Sequence, residues 1–177
     1  MRHALFALVL AVALAASATA ATPSYVVRSD TKIATYAVRA NGSLAGAIRA
    51  FGTPKLRGGG EACTATWAAH GLTIGFYNLG GQNSCAPRYG RFNKAFMHGR
   101  NWLTDRGLRI GMAAREIRRY YPRATFHRGQ RFFWPSGWWL VTRPSQFGLG
   151  GTYPGLLAET RNGIVISLQV RFAAGGD

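Results

Sequence analysis

Acidic side chains are scarce. The 177 residues hold Asp30, Glu61, Asp105, Glu116, Glu159 and Asp177, six in all, against 22 Lys and Arg. General acid–base chemistry by paired carboxylates needs two acids brought together, and so small a supply weighs against it. Asp105 and Glu116 lie among arginines and are expected to act as ion-pair partners. Beyond the first residues, His70, His98 and His127 are spread out without metal-ligand spacing. There is no Gly-x-Ser-x-Gly turn, and the glycine runs at 58–60 and 148–151 lack the Lys-Ser/Thr of a phosphate loop. These absences point away from an enzyme, with a cell-wall hydrolase the weakest of the readings kept, and they leave no cofactor or metal to expect.

Long apolar runs are missing everywhere except at the start. Arg2, the apolar stretch from Ala4 to Ala16 and the small-residue box Ala18-Thr19-Ala20 have the order of a cleavable secretory signal, expected to span 1–20. The apolar stretch is short of the roughly 20 residues that cross a bilayer. Residue 21 is Ala, where a lipid-anchored protein would carry Cys. The expectation is a secreted, extracellular protein with no membrane-spanning segment once the signal is removed. Loss of Arg2 leaves 21 basic residues against 6 acidic ones, a net charge of +15.

Cysteine is the third scarcity, limited to Cys63 and Cys85. In an oxidising compartment a pair persists as a disulfide, which is favoured here. A metal site would need two further ligands, with His70 the only nearby candidate, and a redox pair would usually sit in Cys-x-x-Cys.

What remains is patterned. A strand is expected over Lys32 to Arg39, then the turn Asn41-Gly42-Ser43 with Ser43 as helix cap. Leu44, Ala47, Ile48 and Phe51 form an apolar helical stripe that Gly52 and Pro54 stop. Runs at 62–68 and 72–78 read as a hairpin with His70 at its solvent-facing turn. Further strands are expected at 92–97, 102–104, 131–134 and 138–142, and a second helix from Met112 to about Tyr121 ahead of Pro122. A last hairpin turns at Asn162-Gly163; on its final strand Ile164, Ile166, Leu168, Val170 and Phe172 share the apolar face, and Ser167, Gln169 and Arg171 the other with Val165. Shifting the first helix by 69 residues puts Leu44 on Ala113, Ile48 on Ile117 and Phe51 on Tyr120, while Ala47 falls on Glu116. The expected fold class is therefore α+β: an antiparallel sheet with two short helices on one face, in two related helix-hairpin units at 21–99, with the disulfide, and 100–177.

The block Gly107-Leu108-Arg109-Ile110-Gly111-Met112 through Ile117 and Tyr121-Pro122 resembles the opening of the SmpA/OmlA (BamE-like) and β-lactamase-inhibitory-protein-like domains. The segment from Ser43 to Pro54 is similar to a looser second copy. The whole chain also resembles uncharacterised exported actinobacterial proteins carrying Cys-x-x-x-Trp, here Cys63 to Trp67, and Gly-Leu-x-Ile-Gly, here Gly107 to Gly111. The inhibitor likeness implies tandem domains that bind a protein, although the second half lacks the cysteines that family usually has in each copy.

Two clusters could carry binding. Arg115, Arg118 and Arg119 fall at i, i+3 and i+4, with Arg123, Arg128 and Arg131 following, a landing face for an anionic partner or a merely solvated face in an arginine-rich chain. Phe132, Phe133, Trp134, Trp138 and Trp139 gather around one turn, and because Trp138 and Trp139 point to opposite faces of a strand, one of them is the candidate exposed anchor. The resulting expectation is a non-enzymatic binding protein for an extracellular protein, an inhibitor among the options, or for an envelope or other anionic surface. Export disfavours intracellular nucleic acid.

Overall fold

A computed structural model describes residues 24–38, 42–129, 135–145 and 151–172. The expected signal at 1–20, Arg131, the aromatic residues Phe132, Phe133 and Trp134, and Gly148 and Gly150 lie outside them.

The protein is mostly β, which corrects the α+β reading of two helix-hairpin units. Strands β1 (Tyr25–Arg28), β2 (Lys32–Ile33), β3 (Tyr36–Ala37) and β8 (Trp102–Thr104) form a small sheet in the order β3-β2-β1-β8. The eight strands β4 (Lys55–Gly59), β5 (Ala62–Trp67), β6 (Leu72–Tyr77), β7 (Arg91–His98), β9 (Thr125–His127), β10 (Gly137–Pro144), β11 (Thr152–Arg161) and β12 (Ile164–Arg171) form an antiparallel sheet. Its order is β4-β5-β6-β7-β12-β11-β10-β9. Its central ladder, β7 against β12, pairs Leu168 with Met97 and Val170 with Ala95. The strand expected over 32–39 is broken instead into β2 and β3, with Ala34 between them at φ 51.

The first helix, α1 (Leu44–Phe51), forms where its local signals place it. The Ser43 hydroxyl accepts from the Gly46 amide at 3.1 Å, and Leu44, Ala47 and Phe51 are buried on one stripe. Gly52 ends it at φ 80, a conformation that favours glycine.

The second helix does not form from Met112. Gly111 and Ala114 donate to the carbonyls of Val165 and Gly163 at 2.8 and 2.7 Å, and Val165 donates back to Met112 at 2.9 Å. The segment is thus an extended patch on the start of β12, and its backbone bonds go to the sheet instead of to a helical turn. A 3-10 turn, Ala114–Glu116, and the four-residue α2 (Ile117–Tyr120) are what is left. Ala113, which the repeat would align with the first residue of α1, is extended at ψ 137.

One cluster of buried side chains joins both sheets and both helices, including Val27, Ile33, Leu44, Trp67, Ile74, Met97, Trp102, Ile117, Leu156 and Leu168. On the opposite face of the large sheet, β12 is also covered: Ser167 is 0% and Gln169 1% exposed. Both donate to Glu159 Oε2, at 3.0 and 3.3 Å, so the face expected to be mostly polar carries an internal hydrogen-bonded network. The disulfide expected between Cys63 and Cys85 is present, with Cα atoms 5.1 Å apart.

Candidate functional site

Strand β10 places its two tryptophans on opposite sides. Trp139 pairs across the ladder with Leu157, is 5% exposed, and stacks on the His127 ring at 3.8 Å between centroids. Trp138 packs partly buried against the core and pairs with Phe126 of β9, the rings meeting edge to face at 5.8 Å. The Arg118 guanidinium of α2 lies over the same indole, 5.4 Å from its centroid. Trp138 is therefore held between a cation and a second ring, and Phe126 remains 50% exposed.

The other expected arginines separate from this stack. Arg115 and Arg119 have side chains 87% and 77% exposed and flank Glu116 at 3.9 and 3.7 Å, the ion pairing anticipated for that acid. Pairs this exposed contribute about 0–1 kcal/mol and leave both guanidinium groups accessible. Arg123 lines a cleft of about 310 Å³ with Arg106, Tyr121, Pro122 and Leu140. Leu140 stands two residues beyond Trp138 on β10 and packs into the same core, so cleft and stack follow one strand.

Within the cleft the Arg106 guanidinium covers the Tyr121 ring at 4.9 Å. The Tyr121 hydroxyl donates to Asp105 Oδ1 over a long 3.5 Å. Burial, opposed in part by a hydrogen bond with Thr104, pushes its pKa up to about 12, and the phenol is neutral at ordinary pH. Sequence reasoning missed Phe126, Arg106 and Tyr121. Tyr121 was visible only as the end of a helix, and Phe126 acquires its place from a strand pairing that no local pattern reveals.

His70 is not simply solvent-facing. Its Nδ1 shares a 2.8 Å hydrogen bond with the Tyr25 hydroxyl, and its carbonyl accepts from Trp102 Nε1 at 2.7 Å. It fastens the small sheet to the β5–β6 turn. Asp30 and Glu159 are engaged in internal hydrogen bonds. Among the described residues no three His, Cys, Asp or Glu side chains gather as metal ligands, and no helix is long and apolar enough to cross a membrane.

No family model, curated protein or solved structure matches this chain. Function therefore rests on the geometry of the β9–β10 face.

Proposed function

We propose that this is an exported, non-enzymatic binding protein that engages an acidic protein surface through the β9–β10 face. The observation that carries the reading is the Arg118–Trp138–Phe126 stack. An indole fixed between a guanidinium and a half-exposed ring is a rigid amphipathic anchor, the chemistry enriched at interface hot spots. Arg115 and Arg119 supply an accessible basic rim, suited to steering an acidic partner into register. The disulfide is compatible with an extracellular setting, and the net charge favours a partner of opposite sign.

The test is capture from the culture fluid of the source organism by immobilised protein starting at Ala21. A stoichiometric partner should be retained and should dissociate roughly thirtyfold more readily from Trp138→Ala, the loss typical of a hot-spot tryptophan. Arg118→Gln should weaken it too, with unfolding midpoints confirming that both variants fold. Equal retention by wild type and both variants would sink the proposal.

A second reading, an envelope or polyanion binder, is favoured by the exposure of Arg115 and Arg119. Binding to heparin would then fall steeply with salt and with Arg115→Gln/Arg119→Gln, while being indifferent to Trp138.

A further inference from the structure

The cleft beside the Trp138 stack has features that a protein-docking face does not require. Arg106 and Arg123 both line it, and among the described residues neither is in an ion pair. The rest of its lining is Pro122, Leu140, which is 8% exposed, and Tyr121, which is 3% exposed with its ring under Arg106. Small-molecule sites of about 300–1,000 Å³ combine an apolar lining with a few polar groups that fix orientation. At about 310 Å³ this cleft stands at the small end of that range.

We propose that this cleft binds a small organic carboxylate, a single anionic group carried on a compact apolar body. The charge pattern selects the class. Two arginines line the space, and Asp105, next to Arg106 in the chain, accepts from the lining residue Tyr121 at 3.5 Å. Two positive charges and one negative leave the site net singly positive, which suits a monoanion better than a phosphate dianion. Guanidinium forks match the two oxygens of a carboxylate, and two flexible arms on one lining can both reach it. Pro122 and Leu140 then supply apolar contact for the ligand body, which a bare inorganic ion would leave unused. Arg106 already rests on an aromatic ring and needs only a swing of its side chain to reach the group, keeping part of its contact with Tyr121.

The site is separate from the Arg118–Trp138 anchor, so its fate does not depend on that proposal. The test is a titration of the full mature chain with sodium benzoate at constant ionic strength, followed by backbone amide chemical shifts. Saturable shifts are expected at Tyr121, Arg123 and Leu140. Arg106→Gln or Arg123→Gln should weaken the affinity about tenfold or more, the loss of a charge-assisted hydrogen bond. Arg115→Gln, which removes an equal charge elsewhere, and Arg118→Gln, which disturbs the neighbouring stack, should leave it unchanged. Benzyl alcohol should fail to saturate, and phenyl phosphate should bind no more tightly than benzoate. Three results would overturn the inference: unsaturable shifts scattered over the arginine-bearing surface, equal weakening by Arg115→Gln, or tighter binding of phenyl phosphate.

Discussion

Asp30 and Arg143, 113 residues apart in the chain, meet in a two-point ion pair, Nε to Oδ2 and Nη2 to Oδ1, each 2.8 Å. Asp30 sits in the turn between β1 and β2 with its side chain wholly buried, and Arg143 stands on β10 with its side chain 38% exposed. The contact clamps the small sheet onto the strand that presents the Trp138 stack. It also explains Gly155: a Cβ there would collide with Asp30 Oδ2.

Removing the arginine takes a two-point ion pair from a buried carboxylate. Arg143→Met should cost about 3 kcal/mol, the low end for such pairs because the partial exposure of Arg143 screens it. Gly155→Ala should also destabilise, by displacing the carboxylate. Urea unfolding curves measure both, and midpoints equal to wild type would show that the clamp contributes little.

Tyr36 is a hydroxyl in an apolar place. Its side chain packs against Phe51 and Phe92 and its oxygen has no hydrogen-bond partner among the described residues. Tyr36→Phe should therefore stabilise the protein by about 1 kcal/mol or more, since it deletes an unmet desolvation cost. A lower melting temperature in the variant would contradict this.

Tyr36 and Tyr121 should make the fold sensitive to alkali. Burial raises both pKa values above the usual 10, that of Tyr121 to about 12. A group whose proton is held more tightly in the folded state gives stability that is complete below pH 10 and lost as the pH rises through the folded value. From pH 10 upward, stability should fall by about 1.4 kcal/mol per pH unit for each of the two tyrosines. Denaturant midpoints between pH 8 and 11.5 test the slope, which Tyr36→Phe and Tyr121→Phe should each make shallower.

The disulfide closes a separation of 22 residues across β5 and the loop after β6. Cys63→Ala/Cys85→Ala, or thorough reduction of the wild type, should cost about 3 kcal/mol by the loop-entropy argument. Thermal unfolding with and without reductant gives the number.

Much of the local architecture was legible. Ser43, the Leu44-Ala47-Phe51 stripe and Gly52 define a helix within ten residues, so α1 forms where its caps fall. Asn162 and Gly163 take φ 51 and 73, the backbone that a tight hairpin turn needs, and strands flank it on both sides. Alternation put Ile164 on the core face of β12 and Val165 on the other, whereas Ile164 is 40% exposed and Val165 is buried in the core. The second helix misled because its apolar spacing is equally satisfied by a short turn, and the choice was made by β12, whose open backbone groups captured residues 111–114. The far face of β12 misled for a related reason. Ser167 and Gln169 look solvent-facing by composition, but Glu159 stands opposite and converts them into a buried network.

The candidate site divides in the same way. Trp138, Trp139 and the arginines from 115 to 123 could be picked out by residue type, and the opposite facing of the two tryptophans follows from strand geometry alone. Which indole would be stacked under a cation, which arginine would do the stacking, and that Arg106 would join Arg123 in lining a cleft were settled by tertiary packing. By itself, the sequence determined features whose causes lie within a few residues or in the chemistry of two cysteines: the cap, the hairpin turn, the disulfide and the basic excess. Only the tertiary structure decided the sheet order, the fate of the second helix and the partners of Trp138 and Asp30. Those depend on register between strands far apart in the chain, where each side chain's environment is set by residues that local patterning cannot see.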